Sequence, residues 1–256
     1  MSRALRILVV DDDWPMAKSL VDILKVKGYS AEGANSGSKA LERMAEDQFD
    51  CVLTDIKMPE VNGVELLREV NAARPELPVV FMSAYATGEL VKEGLREGAV
   101  ASLVKPLDID LLLCFLHKLG EERSVVIVSD DPQFSRIWGQ ELTERGFAVT
   151  VVGNGKGLEE TPRPHGQVLL VSLKAGDDTG LTALRKIRTR CAHLPVIVVA
   201  DQREEIVALI EQALEPSAHT CLYEPLGTEE LIRALTEIRR MELGKLLLRS
   251  PSTVLV

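Results

Sequence analysis

Segments about 118 residues apart read alike when laid side by side, and this internal repeat constrains the fold more than any other feature of the chain. ILVVDDD (7–13) answers to VVIVSDD (125–131), and KVKGYSAE (25–32) to TERGFAVT (143–150). LPVVFMSA (77–84) answers to LPVIVVAD (194–201), and SLVKPL (102–107) to CLYEPL (221–226). A period this long is a whole domain, not a solenoid unit. At roughly 100–200 residues per domain, the 256 residues hold two copies. The boundaries fall at 1–120 and 124–249, with Gly120-Glu121-Glu122-Arg123 as the joint.

Within each copy, short apolar runs alternate with amphipathic stretches, which predicts an α/β domain of five βα units with a parallel sheet covered on both faces. In the first copy, strands are expected near 5–10, 29–33, 50–54, 78–82 and 100–104. Helices are expected near 14–27, 37–48, 62–73, 87–97 and 108–119. The runs ILVV, CVLT and PVVFM have the unbroken apolar character of strands buried on both sides. The first helix should turn Leu20, Ile23, Leu24 and Val26 inward and leave Lys18, Asp22, Lys25 and Lys27 wet. In the second copy, Glu159-Glu160-Thr161-Pro162-Arg163-Pro164 interrupts the second helix.

Open parallel sheets gather ligands beyond the carboxyl ends of their strands, where the strand order reverses. At that edge the first copy places Asp11-Asp12-Asp13, Asp55, Ser83 and Lys105-Pro106. Carboxylates held together repel one another unless a cation joins them, and an oxygen-only set suits hard, octahedral Mg²⁺ better than zinc. Charge narrows the partners. Thirty Lys and Arg against thirty-nine Asp and Glu leave a formal charge of −9, which opposes binding to a nucleic-acid backbone. Four cysteines without a CxxC pair, no apolar signal region and no apolar run of about 18 residues predict a cytoplasmic protein outside the membrane.

ILVVDDD, FDCVLTDIKMPEVNG, FMSA and LVKP, in this order and spacing, resemble the receiver domain of two-component response regulators over residues 5–119. The resemblance implies a doubly wound, flavodoxin-like sheet of order 2-1-3-4-5. It also implies Asp55 as phosphoacceptor, Asp11 and Asp12 as metal-binding acids joined by Asp55 and the Lys57 backbone carbonyl, Ser83 as the hydroxyl position, and Lys105 as the phosphate-pairing lysine. Mg²⁺ would be the cofactor, and the phosphoryl donor would be the phosphohistidine of a sensor histidine kinase or phosphotransfer protein. A cis Lys105-Pro106 bond is implied too. Lys57 and Tyr85 stand where the family tunes phosphoryl lifetime. The chain departs from the pattern at Ser102, where most of the family carries the aromatic of its rotamer switch, so Leu103 or Tyr85 would have to report the change.

The second copy carries Ser129, Asp130, Ser172, Ala200 and Glu224 where the first carries Asp11, Asp12, Asp55, Ser83 and Lys105. Nucleophile and phosphate partner are gone, so this half reads as a degenerate receiver that serves protein contact. Cys191, His193, His219 and Cys221 lack the spacing of an ordinary zinc site. The closing helix begins near Thr228 and outlasts the domain. Its Leu246-Leu247-Leu248 end suits a dimer seam, a lead into an output domain, or a helix folded back on its own sheet. Other readings of the residues are more ordinary. Asp13 fits a helix cap, Ser83 a capping serine and Lys105 a wet strand end. Two alternatives compete for the whole chain: a haloacid-dehalogenase-type phosphatase using Asp11 and Asp13 as nucleophile and proton donor, and a scaffold that is never phosphorylated. The phosphatase would want Thr or Val two residues past Asp13, where Pro15 stands, and a later GDxxxD that Gly176-Asp177-Asp178 does not complete.

Overall fold

A computed structural model of the chain describes residues 3–84, 88–153, 167–173, 194–200, 220–247 and 253–254. Contacts divide it into two compact units, one of residues 1–120 with 240–256 and one of residues 121–239.

In the first unit, β1 (Arg6–Val10), β2 (Ser30–Ala34), β3 (Cys51–Asp55), β4 (Val79–Ser83) and β5 (Ala101–Val104) alternate with α1 (Trp14–Val26), α2 (Gly37–Glu46), α3 (Gly63–Ala73), α4 (Glu89–Arg96) and α5 (Ile109–Leu119). The five strands pair in parallel in the order 2-1-3-4-5. Every residue of β3 and β4 is buried, as strands covered on both faces must be. Side chains alternate across the sheet: Ile7 and Val9 join α1 and α5 in one core, while Leu8 and Val10 join α2, α3 and α4 in the other.

The helices begin where short polar residues satisfy their first amides. Asp13 accepts from the Met16 amide, Ser36 from Lys39 and Asp108 from Leu111. Asn62 and Glu65 form a reciprocal capping box on α3. One expectation for α1 fails in detail. The buried stripe is Ala17, Leu20, Val21 and Leu24, whereas Ile23 is 38% and Val26 85% exposed. Positions 17, 20, 21 and 24 follow the helical repeat, and 23 and 26 turn off it.

In the second unit, β6 (Ser124–Val128), α6 (Pro132–Glu144), β7 (Ala148–Val152), β8 (Gln167–Leu173), β9 (Val196–Ala200) and β10 (Thr220–Tyr223) rebuild the plan. Strand order β7-β6-β8-β9-β10 repeats the order of the first sheet. The interrupted stretch 159–164 and residues 191, 193 and 219 lie outside the described residues.

The last helix, α7 (Thr228–Leu247), begins in the core of the second unit with Leu231, Leu235 and Ile238. The sequence boundary at 249 puts all of it in the second domain, but contacts divide it between Arg239 and Arg240. Leu243, Leu246 and Leu247 pack against the core of the first unit that holds Leu112, Phe115 and Leu116. Beyond it, β11 (Thr253–Val254) lies antiparallel on the outer edge of β5, making the first sheet six-stranded.

Candidate functional site

The reversal of strand order between β1 and β3 sets Asp11, just past β1, beside Asp55 at the end of β3. β4 ends in the buried Ser83, and β5 runs straight into Lys105, whose amide donates to the Ser83 carbonyl at 2.8 Å. The Lys105-Pro106 bond is cis.

These ends bring a triad together. Lys105 Nζ donates to Asp11 Oδ2 at 2.7 Å and to Asp55 Oδ1 at 2.5 Å. The other oxygens are held by backbone: Asp11 Oδ1 accepts from the Asp13 amide at 3.0 Å, and Asp55 Oδ2 from the Lys57 amide at 2.7 Å. Asp55 is only 8% exposed and Asp11 only 1%. Asp12 is exposed next to them. Asp13 instead caps α1, which is where the phosphatase reading would have needed a proton donor.

Burial pushes the Asp55 carboxyl above its ordinary range. The hydrogen bond and charge of Lys105 pull it back, the negative charge of Asp11 pushes it up again, and the net direction is upward. Burial pushes the Lys105 ammonium down, but its hydrogen bonds to Asp11 and Asp55 and their charges outweigh that, so it is held charged. Two buried carboxylates share the one Lys105 ammonium, with Asp12 exposed beside Asp11 in the chain, so the acids outnumber the cation. Among the described residues no three His, Cys, Asp or Glu side chains are grouped tightly enough to hold a metal by themselves. The acidic side chains at this edge, Asp11, Asp55 and the neighbouring Asp12, nevertheless offer only oxygens. Such a set fits Mg²⁺, which keeps several waters and takes one or two carboxylates.

The β3–α3 loop holds Asp55 in place through residues that the motif contains but spacing does not explain. A Cβ on Gly63 would stand 2.5 Å from the Asp55 carbonyl oxygen and 2.9 Å from the Ile56 Cα, so α3 starts hard against the backbone of Asp55 and Ile56. Glu60 has φ of 66°, a left-handed turn that a side chain seldom adopts. The buried Thr54 hydroxyl donates to the Asp55 carbonyl at 2.9 Å. The motif's Gly63 was the visible signal, but its reason lies in the approach of α3. Leu103 packs on the α1/α5 side of the sheet, Ser102 is fully buried, and Tyr85 lies outside the described residues.

Strand pairing confirms which residues of the second unit correspond. Asp55 pairs with Met82 and Ser172 with Val199, while Val104 pairs with Ser83 and Tyr223 with Ala200. Glu224 therefore stands at the lysine position. Its amide donates to Ala200 at 2.9 Å, and its bond to Pro225 is also cis. Ser129 repeats the turn of Asp11, its hydroxyl accepting from the Asp131 amide at 3.1 Å.

A doubly wound sheet with a lysine-bridged carboxylate pair at its switch point defines a class of α/β proteins with acidic groups at the carboxyl edge of the sheet. The family model of the response regulator receiver domain matches residues 7–116 and 125–236. A response regulator receiver protein of Anaeromyxobacter sp. (strain Fw109-5) is 30% identical over 236 residues, covering 92% of this chain and 95% of that protein. Transcriptional regulatory protein ZraR of Escherichia coli (strain K12) is 45% identical over 112 residues, which are 44% of this chain and 25% of ZraR. A CheY-like receiver domain from Methanospirillum hungatei JF-1, known from its crystal structure, is 35% identical over 46% of this chain and 94% of its own, with a TM-score of 0.43. The chain belongs to the response regulator receiver family and carries two receiver domains in tandem. Among the described residues no helix is long and apolar enough to cross a membrane.

Proposed function

We propose that the first domain is a Mg²⁺-dependent phosphoacceptor and the second an inactive receiver that serves as a contact module. The observation that carries this reading is the Lys105 bridge to Asp11 and Asp55, which gives one buried carboxylate a cationic partner at the sheet's switch point.

An Asp55 oxygen forms the new O–P bond as the P–N bond of a donor phosphohistidine breaks, and the electron pair leaves on the imidazole nitrogen. Mg²⁺, when bound by Asp11, Asp12, Asp55 and the Lys57 carbonyl, supplies positive charge against the phosphoryl oxygens. Lys105 turns from the carboxylates to a phosphoryl oxygen, and Ser83 donates a hydrogen bond to another. The domain thereby assists its own phosphorylation and dephosphorylation without acting on a separate substrate. Its partners are a sensor histidine kinase or phosphotransfer protein and a protein output target, with a second copy of the chain as a further candidate, and the setting is the cytoplasm. Glu224 in the second domain would repel the group that Lys105 attracts, and the Ser172 hydroxyl, unlike a carboxylate, must lose a proton to attack.

Incubation with Mg²⁺ and acetyl phosphate, followed by intact mass, tests this. The expected result is one phosphate adduct on the wild type and none on Asp55→Asn or without metal. Two adducts would contradict an inert second domain, and an adduct on the Asn variant would misplace the acceptor.

A further inference from the structure

The edge of β5 is where the chain returns to its first domain. Thr253 pairs with Leu103 and Val254 with Ser102 in antiparallel register, so β11 covers an edge that a five-stranded receiver sheet would leave open. This ladder has two residue pairs, against four or five in every other ladder of the sheet. It is the first to open under any displacement of β5.

Such a displacement has a source. The residue after β5 is Lys105, tied to Asp11 and Asp55 on one side and through its amide to Ser83 on the other. On the proposed function, Lys105 leaves Asp11 and Asp55 for a phosphoryl oxygen on Asp55, so the side-chain ties that fix the residue after β5 change with phosphorylation. An independent observation marks the same strand as unsettled. Ser102, the partner of Val254, is fully buried, and among the described residues its Oγ has no hydrogen-bond partner. A buried hydroxyl left unsatisfied on β5 gains a bond when that strand shifts or water reaches it. Phe81, the β4 partner of Ser102, has no such freedom, because its ring lies against Gly94 of α4.

We infer that the edge of β5 is a strand-accepting surface occupied by the chain's own Thr253–Val254 segment, and that phosphorylation of Asp55 releases that segment. The freed edge presents unpaired amides and carbonyls, the chemistry by which an extended segment is captured. The inference rests on Asp55 being the phosphoacceptor.

Hydrogen–deuterium exchange on the full chain with Mg²⁺, with and without acetyl phosphate, tests it, with intact mass read on the same samples. Peptides covering β5 and β11 should be protected before phosphorylation and exchange about tenfold faster or more once the adduct is present. The double variant Thr253→Pro, Val254→Pro, which removes both strand amides, should show the fast β5 exchange from the start while still taking one phosphate. An adduct with unchanged β11 exchange overturns the release alone. β11 exchange at the rate of a free peptide in both states overturns the pairing. Absence of any adduct removes the phosphoacceptor reading, and the release falls with it.

Discussion

At the scale of single residues, the site is a conflict of charges that Lys105 only partly resolves. Because burial holds the Asp55 pKa above its ordinary value, the folded state binds this proton more tightly than the unfolded chain does. The stability that this proton contributes is full below the ordinary carboxylate pKa and is lost as pH rises through the folded value. The ionised Asp55 carboxylate therefore costs stability at neutral pH. Asp55→Asn is expected to raise the urea midpoint at pH 7, with the gain shrinking as the pH falls below the ordinary Asp range. A lower midpoint for the variant at pH 7 would show that the Lys105 bridge outweighs the burial. Lys105→Ala should slow adduct formation from acetyl phosphate by about 10²-fold or more, as loss of one pre-aimed donor does. Unchanged kinetics would remove Lys105 from the chemistry. Asp11, Asp12, Asp55, Ser83 and Lys105 are legible in the sequence because each lies at, or within two residues of, the end of an apolar strand run. The Ser102 hydroxyl was legible only as a missing aromatic, since whether a buried group finds a partner depends on neighbours distant in the chain.

At the scale of elements, the β3–α3 connection does more than link its neighbours. Gly63→Ala would drive a methyl group into the Asp55 carbonyl, and backbone cannot yield as a side-chain tip does. The variant should lose about 1–3 kcal/mol in urea unfolding and phosphorylate more slowly. Full stability with normal kinetics would show that α3 has room to withdraw. The first domain's helices and strands are legible in the alternation of apolar runs and amphipathic stretches nearly to their ends, and the caps at Asp13, Ser36, Asn62 and Asp108 show why the helices start there. The inward face of α1 was read less well. Val26 and Ile23 are apolar yet exposed, since hydrophobicity alone does not fix a helix's rotation when the 17, 20, 21, 24 stripe already fills the core. β11 escaped notice altogether: two residues that pair with a strand 150 positions earlier leave no periodic trace.

At the scale of the whole molecule, the two copies share a frame and differ in the residues at the carboxyl edge of the sheet. The second sheet keeps its strand order and the cis Glu224-Pro225 bond, yet Glu224 and Ser172 occupy the decisive positions. The repeat made this legible from the sequence, whereas the fate of the last helix was not. Leu246-Leu247-Leu248 shows an apolar surface without showing what covers it, and the answer for Leu246 and Leu247 is the core of the first unit. Leu247→Ala, at a site with no exposure, should cost the first unit about 2–5 kcal/mol in urea unfolding. A negligible loss would mean that α7 does not hold that core together. The central claim, one live acceptor in two matching frames, is tested most directly by locating the acyl phosphate. After incubation with Mg²⁺ and acetyl phosphate, borohydride reduction converts a phosphorylated aspartate to homoserine, which peptide mass mapping places by residue. The account predicts homoserine at position 55 and at no other position. Homoserine at Asp11, Asp12 or Asp130, or none at position 55, would contradict it.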